Sequence, residues 1–434
     1  MPAEVCDISV VIPSLNEAAN LYRLLPKLKE ALDNLHIAWE IIVVDGDSTD
    51  GTPAVVENAG ARYINETRRG YGTAILRGVT EARGEFVLTM DADMSHPAEF
   101  VQQLWSARTE ADIVIGSRYV PGGHADQPWF RAMLSRILNG FFGYGLAMPV
   151  KDMSSGFRLY RRSVFRNIDL TFTNFVILIE ILLKAFARGA RIKEAPFHYK
   201  PRQSGNSHAR IIKFGVDYLR LFHRMWRIRN SVDFPDYDER AFDSRIPLQK
   251  YWQRKRYDII MRFTPKFVST VDVGCGSSHI LADLPHAIGV DMRHEKLSYM
   301  RKSNKLLLQA NGLQLPFPDD SFDCAISSEV IEHIPEENGK LIDELTRVLK
   351  PGGTLVLGTP DYGGWQWPLI EKAYALAAPS AYADEHVTHY TYDSLRKALL
   401  ERGYEITAHD YICKAELIFQ ATKPGKSAPS SNEI

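Results

Sequence analysis

Apolar positions along this chain follow two alternating patterns. Short β-rich runs at Ile8 to Ile12, Trp39 to Val44, Phe86 to Met90 and Asp112 to Gly116 are separated by amphipathic stretches such as Ala18 to Leu35. The first kind reads as buried strands and the second as helices. Strands spaced by helices predict a mostly parallel sheet with binding residues at the strand C-termini. The stretch Asp233 to Pro247, "DFPDYDERAFDSRIP", is acidic, holds two prolines and has neither period. The pattern then restarts, with strands expected near 269–274, 286–291, 305–309, 322–327 and 353–359, and a final antiparallel pair at 404–413 and 415–422. The expected organisation is a first domain over 1–232, a linker over 233–249, a second domain over 250–422 and a polar, disordered tail over 423–434.

The most apolar segments are Phe175 to Phe186, broken by Glu180 and Lys184, and Leu138 to Val150. Both fall short of the roughly 20 apolar residues that cross a bilayer, and the first reads as a core helix. A chain of 434 residues, 45% apolar, can bury two ordinary cores. A formal net charge of −1 leaves any basic surface local, and basic-aromatic interleaving is missing, so no nucleic-acid partner is expected. Cys6, Cys275, Cys324 and Cys413 lack metal spacing and suggest no disulfide framework. The opening "MPAEVCDISVVIPS" does not read as a signal peptide, and the expected location is cytoplasmic.

Candidate chemistry in the first half centres on "LTMDADMSHP", where Asp91 and Asp93 end an apolar strand. Paired hard carboxylates there suit Mg²⁺ or Mn²⁺, which can neutralise a diphosphate leaving group. "VVDGDSTDGT" places Asp45 and Asp47 at another strand end, "VVIPSLNE" brings Glu17 beside a proline turn, and "GSRYVPGG" supplies Arg118.

With "GYGTA", "DMSSGFRLYRRSV" and "EAPFHYKPRQSGNSH" added, the first 230 or so residues resemble family 2 glycosyltransferases, and among them the polyprenyl- (dolichyl-) phosphate sugar synthases. The resemblance implies a GT-A type α/β fold, a nucleoside-diphosphate sugar donor and a polyprenyl phosphate acceptor. It also implies that Pro13, Leu15 and Glu17 line the nucleoside site beside Val44, Asp45 and Asp47. Asp91, Ala92 and Asp93 would hold the diphosphate and the metal. Arg118 and Arg202 would face phosphate charge, and Arg131 and Ser135, one helical turn apart, would meet the acceptor phosphate. Three positions depart from the family pattern: Asp45-Gly46-Asp47 replaces adjacent aspartates, His208 a lysine, and Ser95 a glutamine found in some relatives. The implied acceptor is already anionic, so no general base is named.

In the second half, "TVDVGCGSS" runs apolar residues into Asp272, then Gly274 and Gly276. Glycine there lets the backbone approach a ligand. The next strand, "HAIGVD", ends in Asp291, 15 residues after Gly276, where a carboxylate can accept ribose hydroxyls. With "LLLQANGLQLPFPDDSFDCAISSEVIEHIP" and "LTRVLKPGGTLVLGTP", the series resembles class I S-adenosylmethionine-dependent methyltransferases, which implies a Rossmann-like fold. Gly274 and Gly276 would then approach the methionine end, Asp291 the ribose and Asn311 the adenine. Glu329, Glu332, His333, His386 and His389 are candidates near the acceptor, with His386 or His389 as a base. An Asn-Pro-Pro-Tyr-like amine-methylating motif is absent after the fourth strand, which points to a hydroxyl acceptor.

The expected function is bifunctional: sugar transfer to polyprenyl phosphate, and methylation of an oxygen on a glycan or related small acceptor. The basic amphipathic stretch "ARIIKFGVDYLRLFHRMWRIRN" and the apolar "WFRAMLSRILNGFFGYGLAMPVKD" fit peripheral docking on the cytoplasmic membrane face. The alternatives are a polysaccharide glycosyltransferase, with Asp152 as the nearest base candidate, and a regulatory S-adenosylmethionine-binding module.

Overall fold

The computed structural model describes residues 6–68, 70–126, 129–166, 168–200, 211–266, 268–335, 339–377 and 386–425, with the side chains of 129–131, 211–215 and 373–377 outside that description. The chain forms two compact units, residues 1–226 and 227–434.

The first unit carries β1 (Ile8–Ser14), β2 (Trp39–Asp45), β3 (Arg62–Asn65), β4 (Phe86–Thr89), β5 (Ile113–Ser117), β6 (His124–Ala125), β7 (Arg158–Arg161), β8 (Ile192–Pro196) and β9 (His198–Tyr199). Its main sheet has the order β3-β2-β1-β4-β7-β5-β8. Only β7 runs antiparallel, to both β4 and β5. The central strands read as continuous apolar runs because both faces are covered. Helix Ala18–Asp33 buries Leu21, Leu24, Leu25, Leu28 and Leu32, the spacing of one helical face. Helix Ile177–Phe186 buries every residue except Lys184, as expected of a core helix. The fully buried Glu180 within it accepts from the amides of Thr171 and Phe172 and from Lys184 at 2.6 Å. Among the described residues, no helix is long and apolar enough to cross a membrane.

The second unit carries β10 (Thr270–Val273), β11 (Ala287–Asp291), β12 (Leu306–Gln309), β13 (Phe322–Ser328), β14 (Leu349–Pro360), β15 (Glu405–Ile412) and β16 (Glu416–Thr422). The order is β12-β11-β10-β13-β14-β16-β15, with the expected final pair antiparallel and β16 antiparallel to β14. Strand order reverses at β10, which opens a crevice at the C-terminal ends of β10 and β13.

The segment 233–249, expected as a linker, is instead built into the second unit, which starts at Arg227. It holds helix Tyr237–Phe242 and, from Pro247, the first turn of helix Pro247–Phe263. Its acidic side chains are paired: Asp236 with the buried Arg229, Asp233 with Arg293 at 2.6 Å, Asp238 with Lys296 at 3.0 Å and Glu239 with Lys302. Most of these cations lie far along the chain, so local composition resembled a solvated spacer. Of the expected tail, Lys423 bonds Gly353 and Asp320, while 426–434 lie outside the described residues.

Candidate active sites

In the first unit, the loops after β1 and β2 are fastened to each other. Asn16 donates its amide to Ser48 Oγ at 2.7 Å, Thr49 donates to Asn16 Oδ1 at 2.9 Å, and Ala18 donates to Asp50 Oδ2 at 2.9 Å. Asp45 is fully buried and accepts from the Ser48 amide at 2.9 Å and the Tyr63 hydroxyl at 3.1 Å. It therefore shapes the turn that carries Asp47, whose φ is +71°. Pro13 and Val44 sit in register on neighbouring strands, Leu15 is exposed, and Glu17 holds Asn20 at 2.5 Å.

After β4, Asp91 and Asp93 are shaped by neighbours. The Tyr71 hydroxyl donates to Asp91 Oδ1 at 3.2 Å, and the Asp91 amide donates to His96 Nδ1 at 2.9 Å. Burial pushes His96 below its ordinary pKa, against the pull of Asp91 and Asp93, so it stays a neutral acceptor. Asp93, with Ala92, is buried, and its Oδ1 accepts the Ser95 amide at 3.1 Å. The Asp91 side chain keeps 31% exposure. An open carboxylate beside a buried, amide-held one fits a divalent cation that must still reach a diphosphate.

Arg118 reaches Asp152 with a complete fork: Nε to Oδ2 and Nη2 to Oδ1, both at 2.7 Å. Burial opposes the Asp152 charge, but the Arg118 guanidinium holds it below the ordinary carboxylate range. Arg118 Nη2 also donates to Ser154 Oγ at 2.8 Å, and Asn139 ties Ser154 to Ser135. Ser135 is therefore joined to Arg118 through Ser154. Arg131 lies on the same helix, Trp129–Gly145, but its side chain falls outside the described residues, as does Arg202.

In the second unit, Gly274 and Gly276 take φ of +75° and +54°. A Cβ on Gly276 would come within 2.4 Å of Asp238 Oδ2, and one on Gly274 within 2.2 Å of Val330. Asp291 receives the Gly276 amide at 2.9 Å and the Arg293 amide at 2.8 Å. Each oxygen can accept a further bond, as a ribose contact would require. Asp238 accepts from the Ser277 amide at 2.9 Å and from Lys296 at 3.0 Å. Asp272 is buried, and its Oδ2 has no hydrogen-bond partner among the described residues. Burial, then the charges of Asp291 and Asp238, push its pKa up to about 7. An orphaned acid at the base of a glycine loop fits the cationic methionine end of S-adenosylmethionine. Asn311 is exposed, and its Oδ1 accepts the Leu313 amide at 2.9 Å.

Beyond β13 and β14, His386 Nδ1 lies 2.9 Å from the Tyr362 hydroxyl, and His389 stacks on Tyr362 at 4.1 Å. Burial, then His333 and His389, push His386 down to about 4. Glu329 pairs with Arg256 at 3.1 Å. Sequence reasoning missed Tyr71, His96, the Asn16–Ser48 fastening and Asp238. Tyr71 lay within the quoted "GYGTA", but nothing in that stretch pairs it with Asp91, 20 residues on.

The glycosyl transferase family 2 model matches residues 9–169, and a methyltransferase domain model matches residues 271–357. A dolichol-phosphate mannosyltransferase of Pyrococcus furiosus is 35% identical over 235 residues, covering 52% of this chain. The alignment spans 65% of that relative's length, just under two thirds. A polyprenol monophosphomannose synthase of Mycolicibacterium smegmatis is 34% identical over 243 residues, covering 51% of this chain and 90% of its own. Among solved structures, a methyltransferase of Thermotoga maritima, described as a possible histamine N-methyltransferase, aligns at 20% identity over 43% of this chain and 94% of that one, with a TM-score of 0.37. The chain belongs to glycosyl transferase family 2 and joins that domain to a second, S-adenosylmethionine-dependent methyltransferase domain.

Proposed function

We propose that the first unit transfers a hexose from a nucleoside-diphosphate sugar to polyprenyl phosphate, and that the second methylates an oxygen of a glycan or related small acceptor. The carrying observation is the Arg118–Asp152 pair. A sugar-hydroxyl acceptor needs a general base, and Asp152 was the nearest candidate. That carboxylate is fully buried and bidentately held by Arg118, which disfavours its taking a proton. A phosphate acceptor is anionic and needs no base, so positioning and charge carry the reaction. Asp91 and Asp93 would hold Mg²⁺ or Mn²⁺, whose chemistry when bound is to neutralise the leaving diphosphate. The names of both mannosyl relatives make mannose the first sugar to test.

Membrane-surface docking is part of this reading. Helix Trp129–Gly145 leaves Met133, Leu134, Ile137, Phe141 and Tyr144 exposed. Helix Ile211–Arg229 packs on it through Phe222 against Phe141 and Gly145, and leaves Val216 and Leu219 exposed. Exposed apolar side chains beside basic ones suit the headgroup layer.

In the second unit, Gly274, Gly276, Asp272 and Asp291 would hold S-adenosylmethionine, which supplies the methyl group when bound. The sequence after β13, Glu329 to Pro335, lacks an amine-methylating motif and favours an oxygen acceptor. Incubation with polyprenyl phosphate, a panel of nucleotide sugars and labelled methyl donor, read by mass spectrometry, tests the whole reading. Sugar-lipid formation with methyl incorporation into a glycan supports it; transfer only to a free sugar, or donor binding without methyl turnover, rejects the corresponding half.

A further inference from the structure

Glu332, His333 and His386 each bring one ligand atom to within 4.8 Å of the other two. Glu332 is fully buried. Its Oε2 accepts from Thr359 Oγ1 at 3.0 Å, while its Oε1 is buried with no hydrogen-bond partner among the described residues. A buried carboxylate oxygen left unsatisfied is costly, so the site calls for a positive or donating ligand.

The backbone fixes this grouping. Glu332 and His333 lie in the tight turn Ile331–His333. The Val387 and Thr388 amides donate to the Glu332 carbonyl at 2.9 and 3.0 Å, which delivers His386 beside it. Thr388 Oγ1 adds a bond to the Ile334 carbonyl at 2.5 Å. The Tyr362 hydroxyl donates to Glu371 Oε1 at 3.0 Å, so towards His386 it acts as acceptor. His386 Nδ1 is then the donor, and Nε2 keeps its lone pair. An outer tyrosine–glutamate pair that sets the tautomer is what a metal-bound imidazole commonly has. His333 is exposed, so its ring can turn inward without moving the core.

We propose that Glu332, His333 and His386 bind a divalent cation, leaving coordination positions for neighbouring hydroxyl oxygens of the methyl acceptor. A mixed carboxylate and imidazole set suits Mn²⁺, Co²⁺ or Zn²⁺ better than Ca²⁺. The cation's role rests on the reading that this unit methylates an oxygen. A metal-bound hydroxyl loses its proton to water more readily; its oxygen then bonds the methyl carbon while the C–S bond breaks and sulfur keeps the electron pair. The other histidine–aspartate group, His124, Asp126 and His198, is exposed and has no comparable buried orphan among the described residues.

The test uses the full chain carrying Asp91→Asn and Asp93→Asn, loaded with Mn²⁺ and examined by electron spin-echo modulation. The expected result is nitrogen modulation from imidazole and one tight equivalent, with His333→Ala or Glu332→Gln weakening binding at least about tenfold. His333 is exposed, so its variant keeps the fold. No nitrogen modulation, or His333→Ala binding Mn²⁺ like its parent, overturns the site. In the otherwise unchanged chain, methyl incorporation that survives chelation with no nitrogen signal also overturns it, yet leaves oxygen methylation standing. A nitrogen-coordinated ion without methyl transfer to any glycan supports the site and rejects the reading beneath its role.

Discussion

Tyr71 donates its phenol proton to Asp91 Oδ1 at 3.2 Å while its ring stacks on Phe175 with centroids 4.2 Å apart. Burial and the Asp91 charge hold Tyr71 well above its ordinary pKa, so it remains a donor throughout the physiological range. Tyr71 thus orients the more open of the two aspartates. Tyr71→Phe keeps the stack and removes one hydrogen bond to a charged group. Sugar transfer should fall about tenfold in kcat/KM, with weaker activation by Mn²⁺. Steady-state kinetics across metal concentrations measures both.

Arg118→Ala should be more damaging to folding than to any single contact. It strands the fully buried Asp152. Removing one partner of such a pair typically costs about 3–5 kcal/mol. Arg118→Lys retains charge but not the fork, so its loss should be smaller. Thermal unfolding of the two variants gives the order.

Asp272 makes the second unit sensitive to pH. Its folded pKa of about 7 lies above the ordinary 3.8, so folding favours the protonated form. This contribution is complete below about pH 4 and is lost as pH rises through about 7. Asp272→Asn should flatten that part of the stability profile, measured by denaturant midpoints. Binding of a cationic methyl donor has the opposite sense: affinity should strengthen as pH rises through about 7, and calorimetry on Asp272→Asn should lose that slope.

Gly276→Ala places a methyl group 2.4 Å from Asp238 Oδ2 at a φ of +54°. Methyl-donor affinity should drop at least tenfold, on the order of 1.5 kcal/mol or more. Sugar transfer, which uses the first unit, should be unchanged. Measuring both activities on one preparation separates a local effect from misfolding.

Ile137→Glu and Leu219→Glu place charge on exposed apolar positions. Each should reduce binding to anionic liposomes in a flotation assay, while thermal stability stays within about 0.5 kcal/mol of the parent. Retained binding in both would reject this docking face.

The central strands were readable from the sequence because they are buried on both faces, and runs such as Ile8 to Ile12 carry no alternation to misread, whereas the short or peripheral β3, β6, β8 and β9 were not expected. β7 escaped because Arg158 and Arg161 interrupt its apolar pattern, although Arg158 is fully buried with its guanidinium on the Met153 and Leu178 carbonyls at 2.6 Å. The acidic candidates were legible as residue types but not in their bonding. Asp45, Asp152 and Asp91 look alike in sequence, yet one shapes a turn, one pairs with arginine and one stays partly open. The first depends on Ser48, three residues along the chain, and the other two on Arg118 and Tyr71, which only folding brings near.

Asp238 has a consequence for dividing the protein. A fragment cut where the composition changes, near residue 250, would lack the acid that braces Ser277 and Lys296, and the Arg229–Asp236 pair before it. Its glycine loop would then have to hold its shape without the carboxylate that Lys296 bonds. The second compact unit begins at Arg227, and the residues that look like a tether between two enzymes brace the glycine loop on which the proposed methyl-donor site depends.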